Sequence, residues 1–286
     1  MKTLIHMLLI AVFAFTTLAG CISATNTNGD VTLHFALNAG DQPVVCGQEY
    51  SGFGTEKNTV QLLDARYYLS NIRLITLDGK EVPLQLRADN KWQSDKVALI
   101  DFEDGSALCA DGGTPETNTV VKGTVAPGYY TGLAFDMGVP FELNHQDVTA
   151  ASAPLNVPAL WWNWQYGYKH ARIDLHTDVE ALNTFFIHIG STGCDAAAPE
   201  QSPKTACTNP NLVSVKLQGF NPTSSVIVGD LKALLTGVNL KENKPEPPGC
   251  MSMAMDPDCT TLFPNLGLGL MVGAQNGEQH FFRIEK

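Results

Sequence analysis

The sequence has few cations and lacks the short motifs of the common enzyme classes. Lys and Arg number 18 against 29 Asp and Glu, which gives a formal net charge of −11 at pH 7. A chain this acidic would repel a phosphate backbone, so we exclude nucleic acid as a partner. The sequence contains no G-x-S-x-G, no H-E-x-x-H and no glycine-rich phosphate loop. We therefore expect a binding protein rather than an enzyme.

The N-terminus reads as an export signal. Lys2 precedes an apolar run over residues 4–18, and the run ends in LAGC, whose cysteine is Cys21. This is the pattern of a bacterial signal peptide with a lipobox, in which the cysteine is lipidated after cleavage. We expect residues 1–20 to be the signal peptide and residues 21–30 a lipidated tether. The lipid would anchor the mature protein to a membrane outside the cytoplasm.

The sequence also lacks a C-x-x-C pair, which argues against a zinc site built from thiolates. Of the seven cysteines, six remain when Cys21 is set aside. An even number of cysteines in an oxidising compartment predicts three disulfides. Short spacings favour the pairs Cys194 with Cys207 and Cys250 with Cys259, which leaves Cys46 with Cys109.

Short, alternating apolar segments dominate the rest of the chain, and turn residues separate them. They lie at residues 31–37, 65–79, 96–102, 120–125, 129–139, 171–176, 184–190, 212–220 and 281–286. This spacing predicts an all-β fold, an antiparallel β-sandwich or flattened barrel, with disulfide-held loops. No long linker divides the chain, so we expect one domain over residues 31–286.

Few helices are expected, and all of them are short. We predict one over residues 58–64 and one over residues 228–236, where Asp230 is a candidate cap. Residues 241–260 are predicted to form a loop held by a disulfide.

Histidines are the first candidate metal ligands. Alternation on the first strand places His34 opposite Val31, Leu33 and Phe35. His188 likewise lies opposite the apolar residues of its strand and shares a face with Phe186. A single buried histidine is usually a hydrogen-bonded structural residue. His34, His188 and the loop residue His145 together raise the prospect of a shared site.

Three of the chain's four tryptophans lie in LWWNWQYGY, at residues 160–168. If this segment is a strand, Trp162 and Trp164 point to one face and Trp161 to the other. Such a cluster is most often core, and an exposed pair is next most often a stacking platform for sugar rings. Met251, Met253 and Met255 alternate in the disulfide loop. Thioethers favour Cu(I), but we favour a packing role for these methionines.

Several segments in this order together resemble the MbnP-like family, also described as the four-cysteine-motif member of a metallo-mystery pair. The resemblance runs from about Val31 to Leu235, and its segments are residues 65–84, 96–105, 123–147, 153–175 and 185–194. Proteins of that family bind copper in the periplasm or at the outer membrane of Gram-negative bacteria. They are encoded beside a dihaem protein of the MauG and cytochrome c peroxidase type.

The resemblance implies a modified residue and a ligand set. In the family the dihaem partner oxidises the first tryptophan of a W-x-W motif to kynurenine, and copper binding depends on this change. The motif here makes Trp162 that residue, with Trp161 as the alternative. The resemblance makes the modified Trp162 and His188 the expected Cu(I) ligands; His34 follows from its position on the strand face and His145 is third, while His170 and His176 remain open.

Two other functions are kept as alternatives. One is a carbohydrate-binding or surface-binding module that uses Trp162 and Trp164 as a platform. The other is a zinc protein in which His34, His145 and His188 hold the metal.

Overall fold

The computed structural model describes residues 25–110, 112–178, 184–241, 248–253, 255–270 and 277–285. The predicted signal peptide, Cys21 and the first residues of the tether lie outside these ranges. None of the helices within the described residues has the length and apolar character needed to cross a bilayer.

Most of the described chain is β-strand. The strands, numbered in chain order, are β1 (Thr25–Thr27), β2 (Asp30–Ala39), β3 (Gln42–Pro43), β4 (Glu49–Phe53), β5 (Asn58–Thr76), β6 (Glu81–Pro83), β7 (Gln85–Leu86), β8 (Val97–Asp101), β9 (Val120–Thr124), β10 (Gly128–Met137), β11 (Trp161–Asn163), β12 (Gly167–Thr177), β13 (Thr184–Gly190), β14 (Val213–Gln218), β15 (Val226–Asp230), β16 (Gly249–Cys250) and β17 (Phe282–Glu285). The predicted all-β fold is confirmed.

The described helices are short: α1 (Phe141–Asn144), α2 (Leu231–Leu234) and α3 (Cys259–Asn265). Two 3-10 helices, Ala107–Ala110 and Pro158–Leu160, accompany them. Asp230 caps α2 as predicted, because its side chain accepts hydrogen bonds from the backbone N–H of Lys232 and Ala233. The predicted start at residue 228 is wrong, since residues 226–230 belong to β15.

The helix predicted over residues 58–64 is wrong as well. This segment is the first part of β5, the long central strand. β5 pairs with β4 along one of its edges and with β12 along the other. A short apolar run does not distinguish a strand from a helix, and pairing with distant strands decides the outcome.

The strands form two curled sheets that pack face to face. In the larger sheet the order is β1-β10-β5-β12-β13-β16, and in the smaller sheet it is β17-β15-β2-β9-β7, with further strands pairing off these paths. Most pairs are antiparallel, but β2 with β15 and β13 with β16 are parallel. The two parallel pairs are a departure from the purely antiparallel prediction.

The main core lies between the sheets. Phe35 and Phe282 from the smaller sheet pack against Phe135 of the larger sheet, with ring centroids 6.1 and 5.1 Å apart. Such edge-on aromatic pairs stabilise a core beyond their buried area. Alternation along each strand supplies this inward face, as the sequence predicted.

A second, smaller core covers the outer face of the larger sheet. Tyr68 and Tyr168 lie there under the segment that follows β10, and both are buried. Their hydroxyls donate to the carbonyls of Pro154 and Leu155, at 3.1 and 2.6 Å. This covering segment leads directly into β11 and so fixes where the tryptophans lie.

The three predicted disulfides are present: Cys46–Cys109, Cys194–Cys207 and Cys250–Cys259. The last two close short loops beside β13 and β16, as their spacing indicated.

Candidate metal centre

The tryptophan segment is a short strand followed by a turn. β11 covers only Trp161–Asn163, and the turn begins at Trp164. Because the strand ends there, Trp164 packs edge-on against Trp161, with ring centroids 5.0 Å apart. Trp162 lies elsewhere, against β13. The expected common face of Trp162 and Trp164 is therefore wrong, and the two rings do not form a shared platform for a sugar.

The ring of Trp162 lies over Gly190, the last residue of β13. A Cβ atom at position 190 would come within 2.5 Å of the Cζ3 atom of Trp162. A side chain at position 190 would thus occupy the place of the indole ring. The absence of a side chain on Gly190 lets the aromatic ring approach the strand closely.

Trp162 forms one wall of an open cavity of about 330 Å³. The other residues that line this cavity are Asn163, Tyr166, Thr192, Met251 and Met253. Met251 is half-buried, while Met253 is 52% exposed. The cavity therefore brings a tryptophan ring and two thioethers together. We call it the Trp162 cavity.

The methionines reach the cavity because their loop is fastened to β13. β16 pairs in parallel with β13, with Cys250 opposite Ile187. The hydroxyl of Ser252 accepts a hydrogen bond from the backbone N–H of Gly190 and donates one to the carbonyl of His188, both at 2.7 Å. A hydroxyl that satisfies both neighbouring backbone groups fixes the loop against the strand.

His188 lies on the same face of β13 as the site that Trp162 covers. Residues 188 and 190 are two apart on a strand, so they share a face about 7 Å apart. The opposite face carries Phe185, Ile187 and Ile189 in the main core, as the alternation predicted. His188 is 7% exposed.

The two ring nitrogens of His188 have different surroundings. Nε2 lies 2.7 Å from Oδ1 of Asp174, whereas Nδ1 is buried and has no hydrogen-bond partner among the residues that the structure describes. Burial lowers the pKa of His188, which favours a neutral ring. Burial works against the charge on Asp174, but the hydrogen bonds from His188 and Arg172 lower the pKa of this carboxyl. A neutral ring that donates Nε2–H to Asp174 leaves an unused lone pair on Nδ1.

His145 is differently placed, because both of its nitrogens are engaged. It follows α1, and its Nδ1 lies 3.0 Å from the carbonyl of Trp164, to which it donates. Nε2 lies 3.3 Å from the side-chain nitrogen of Asn144, which can donate to it. His145 therefore supports the turn after β11, and it is not among the residues that line the Trp162 cavity.

His145 also belongs to a cluster with Cys194 and Cys207. Among the described residues, these three side chains are the ones whose potential ligand atoms all lie within 4.8 Å of one another. The two cysteines form a disulfide, so neither sulfur is a thiolate. In this oxidised form the cluster offers a metal only one imidazole nitrogen.

His34 lies in the smaller sheet, where it is exposed on β2 and opposite Val226 and Val120. Its predicted position opposite the core face is confirmed, but the structure does not place it in the Trp162 cavity. Within the described chain, His34, His145 and His188 do not form a three-ligand group. The geometry thus gives no support to a zinc site built from these three histidines.

His170 is buried and fully bonded. Its Nδ1 accepts from the backbone N–H of Val139 at 3.0 Å, and its Nε2 lies 3.0 Å from the carbonyl of Pro210. Burial lowers the pKa of His170 to about 4. This histidine holds loops together and offers no free lone pair. His176, on the same strand, is half-buried.

The sequence missed Met251, Met253 and Asp174 as members of the site. The alternate spacing of the methionines was the only signal, and we had favoured a packing role for them. Asp174 gave no signal at all, because its contact with His188 depends on the pairing of β12 with β13.

Fold and cavity together define a class: a disulfide-stabilised β-sandwich with an open cavity lined by an indole ring and two thioethers at the end of β13, and with a buried imidazole, His188, on the same strand. The MbnP family model matches residues 28–252, and the chain belongs to the MbnP family. Among solved structures, MbnP from Methylosinus trichosporium is similar, with a TM-score of 0.78 and 31% sequence identity over 89% of this chain and 97% of that one. A search of curated proteins found no match. Family and fold together support a metal-related role.

Proposed function

We propose that this protein is a non-catalytic, extracytoplasmic copper-binding protein that holds Cu(I) at the Trp162 cavity. The observation that carries the proposal is the buried Nδ1 of His188, which has no partner within the described chain and lies on the strand face that Trp162 covers. A buried polar atom without a partner costs free energy, on the order of 1–3 kcal/mol, unless something binds it. A metal ion would offset that cost.

The donor set selects the kind of metal. An imidazole nitrogen from His188 and a thioether from Met251 form a soft, neutral pair, and such pairs favour Cu(I) over hard cations. Met251 is the better candidate of the two methionines because it is less exposed than Met253. Aromatic walls from Trp162 and Tyr166 would restrict water around a bound ion.

Trp162 becomes useful to a metal only after modification, since intact indole has an N–H donor and no lone pair for coordination. Conversion to kynurenine breaks the C2–C3 bond of the indole. C3 becomes a ketone, C2 leaves as formate after hydrolysis, and the ring nitrogen becomes an aryl amine. Two peroxide molecules would accept the four electrons and become water. Both new groups carry lone pairs.

A dihaem protein of the MauG and cytochrome c peroxidase type is the proposed oxidant, as the resemblance implies. The half-buried position of Trp162 at an open cavity supports this role, because the ring lies near the protein surface, where a partner protein can dock. We also propose that Cys21 carries the lipid and that the protein is anchored in the periplasm, at the outer membrane. That anchor would hold the cavity at a membrane surface, where copper is exchanged between compartments.

Native material tests the proposal directly. Protein purified from its own host at copper sufficiency is expected to contain one copper ion per chain. Its peptide containing Trp162 should show the mass change for replacement of one carbon by one oxygen. Protein made without the dihaem partner should show neither change. Stoichiometric copper together with an intact indole at position 162 would contradict the proposal.

A further inference from the structure

Four charged side chains on the outer face of the larger sheet lead to His188. In the strand register, Arg66, Arg172 and His188 are neighbours across β5, β12 and β13. Asp64 and Asp174 are neighbours in the adjacent row. Arg66 donates from Nε to Asp64 at 2.9 Å, and Arg172 donates from Nε to Asp174 at 2.7 Å while lying 3.2 Å from Asp64. We call these four residues the charged ladder.

Three residues of the charged ladder are buried and Arg172 is 19% exposed, so the free-energy cost of burying charge is relevant here. The side chains of Asp64 and Arg66 are each 3% exposed, and that of Asp174 is 1% exposed. Burying charged pairs is weak evidence for stability, because well-packed apolar residues of similar volume often do as well or better. Stability alone therefore does not account for a row of charges in this place.

The ladder ends at His188, whose Nδ1 has no hydrogen-bond partner among the described residues. Asp174 accepts the Nε2–H of His188 at 2.7 Å, and Arg172 holds the second carboxylate oxygen of Asp174. A carboxylate in this position favours the tautomer with its lone pair on Nδ1 and fixes the plane of the ring. A change of tautomer would place the N–H on Nδ1 and remove that lone pair.

We propose that Asp174 is a positioning residue that sets the tautomer and orientation of His188 for soft-metal binding, and that Arg172 and Asp64 hold Asp174 in place. This inference rests on the proposed function, because it assigns a role to Asp174 only if His188 is a ligand. Asp174 itself does not bind the metal. It acts through a hydrogen bond to the ring.

Two variants of Asp174 and one matched control test the proposal. Asp174→Asn keeps an amide oxygen that can accept the Nε2–H, whereas Asp174→Leu has a similar volume and no acceptor. Glu103→Gln is the control: Glu103 is also fully buried and lies 3.4 Å from Arg66, at the end of the ladder away from His188. All proteins are produced in the native host and freed of copper before measurement.

The first readout is Cu(I) affinity, measured by competition with a chromogenic chelator. We expect a loss of about 10- to 100-fold for Asp174→Leu, the usual range for removal of such a partner, and a smaller loss for Asp174→Asn. Glu103→Gln should bind like the unsubstituted protein. The second readout is the His188 tautomer in metal-free protein, from long-range ¹H–¹⁵N NMR correlations. Asp174→Leu should lose the pure Nε2–H form, Asp174→Asn should lose it only in part, and Glu103→Gln should keep it.

A merely structural role for Asp174 would leave the tautomer unchanged, and that result would overturn the proposal. So would an equal loss of affinity in Glu103→Gln. If Asp174→Leu does not fold, Asp174→Asn and Arg172→Lys provide the same two readouts with smaller changes in shape. His188→Ala separates the two proposals: normal copper binding by this variant contradicts the proposed function, whereas copper loss there with normal binding in both Asp174 variants contradicts the positioning role alone.

Discussion

Two regions that flank the tryptophan segment both contain buried histidines, yet they differ in what those histidines have left to offer. On the loop side, His145 and His170 each use both ring nitrogens in hydrogen bonds. On the strand side, His188 uses one nitrogen, and the described part of the chain offers no partner to the other. Burial and residue type are alike in the two regions. The unused lone pair distinguishes them.

This difference shows how a β-sandwich separates support from binding. His145 and His170 hydrogen-bond to backbone groups of the loops, and His145 fixes the turn after β11. The histidine on β13 is hydrogen-bonded to Asp174 and shares a strand face with Gly190, over which Trp162 lies. The predictions below would break or sharpen this distinction.

The largest expected effect is loss of the free nitrogen. His188→Ala should weaken Cu(I) binding by more than about 100-fold, because removal of a ligand should exceed the usual effect of removing its supporting partner. Chelator competition measures the change. The control is His145→Asn, whose amide can still donate to the carbonyl of Trp164. Equal losses in both variants would break the distinction between the two regions.

Replacing Trp162 tests the other wall of the cavity. Trp162→Phe keeps an aromatic ring over Gly190 but cannot become kynurenine, so no copper should co-purify from the native host. Metal analysis and peptide mass spectrometry report the two results. Trp164→Phe, which alters the neighbouring ring packed on Trp161, should retain both the modification at position 162 and the copper.

The histidines of the loop side should affect the pH dependence of folding stability. Burial lowers the pKa of His170 from its ordinary value of about 6.5 in the unfolded chain to about 4 in the folded protein. The unfolded chain therefore takes up the proton first as the pH falls. The contribution of neutral His170 to the free energy of unfolding is complete above pH 6.5. It decreases by about 3 kcal/mol as the pH falls to about 4.

Denaturant unfolding of copper-free protein across this pH range measures the loss. His170→Asn keeps an acceptor for the N–H of Val139 and does not titrate, so its pH dependence should be flatter by the same amount. An unchanged pH profile in the variant would show that other groups cause the loss.

The smallest effect distinguishes the two methionines. Met251→Leu preserves volume and removes the thioether, and we expect a loss of Cu(I) affinity on the order of tenfold, or about 1.4 kcal/mol. Met253→Leu should change the affinity less, because Met253 is 52% exposed. The reverse order would identify Met253 as the sulfur ligand instead, and no effect in either variant would exclude thioether ligation.

Local patterns in the sequence predicted much of the fold. Alternation predicted the inward face of β2 and of β13, including the sides on which His34 and His188 lie. Spacing predicted the disulfides at Cys194 and Cys250. The pattern was ambiguous at residues 58–64, where an apolar run fits either structure until β4 and β12 pair with it.

The candidate site was less predictable because non-local contacts build it. Met251 reaches the cavity through the parallel pairing of β16 with β13, and Asp174 reaches His188 through the register of β12. Alternation also predicted that His34 lies on the face of its strand that points away from the core. It does not predict whether another segment of the protein covers that face. His34 is exposed there, whereas the corresponding face at His188 is covered.

Gly190 has a consequence for reading related sequences. The indole lies where a methyl group at position 190 would have to be, within 2.5 Å of the nearest ring atom. A chain with the same strands but alanine or any larger residue at this point must direct its first W-x-W tryptophan elsewhere. Glycine at this position is therefore a simple criterion for which related β-sandwiches can form the same cavity.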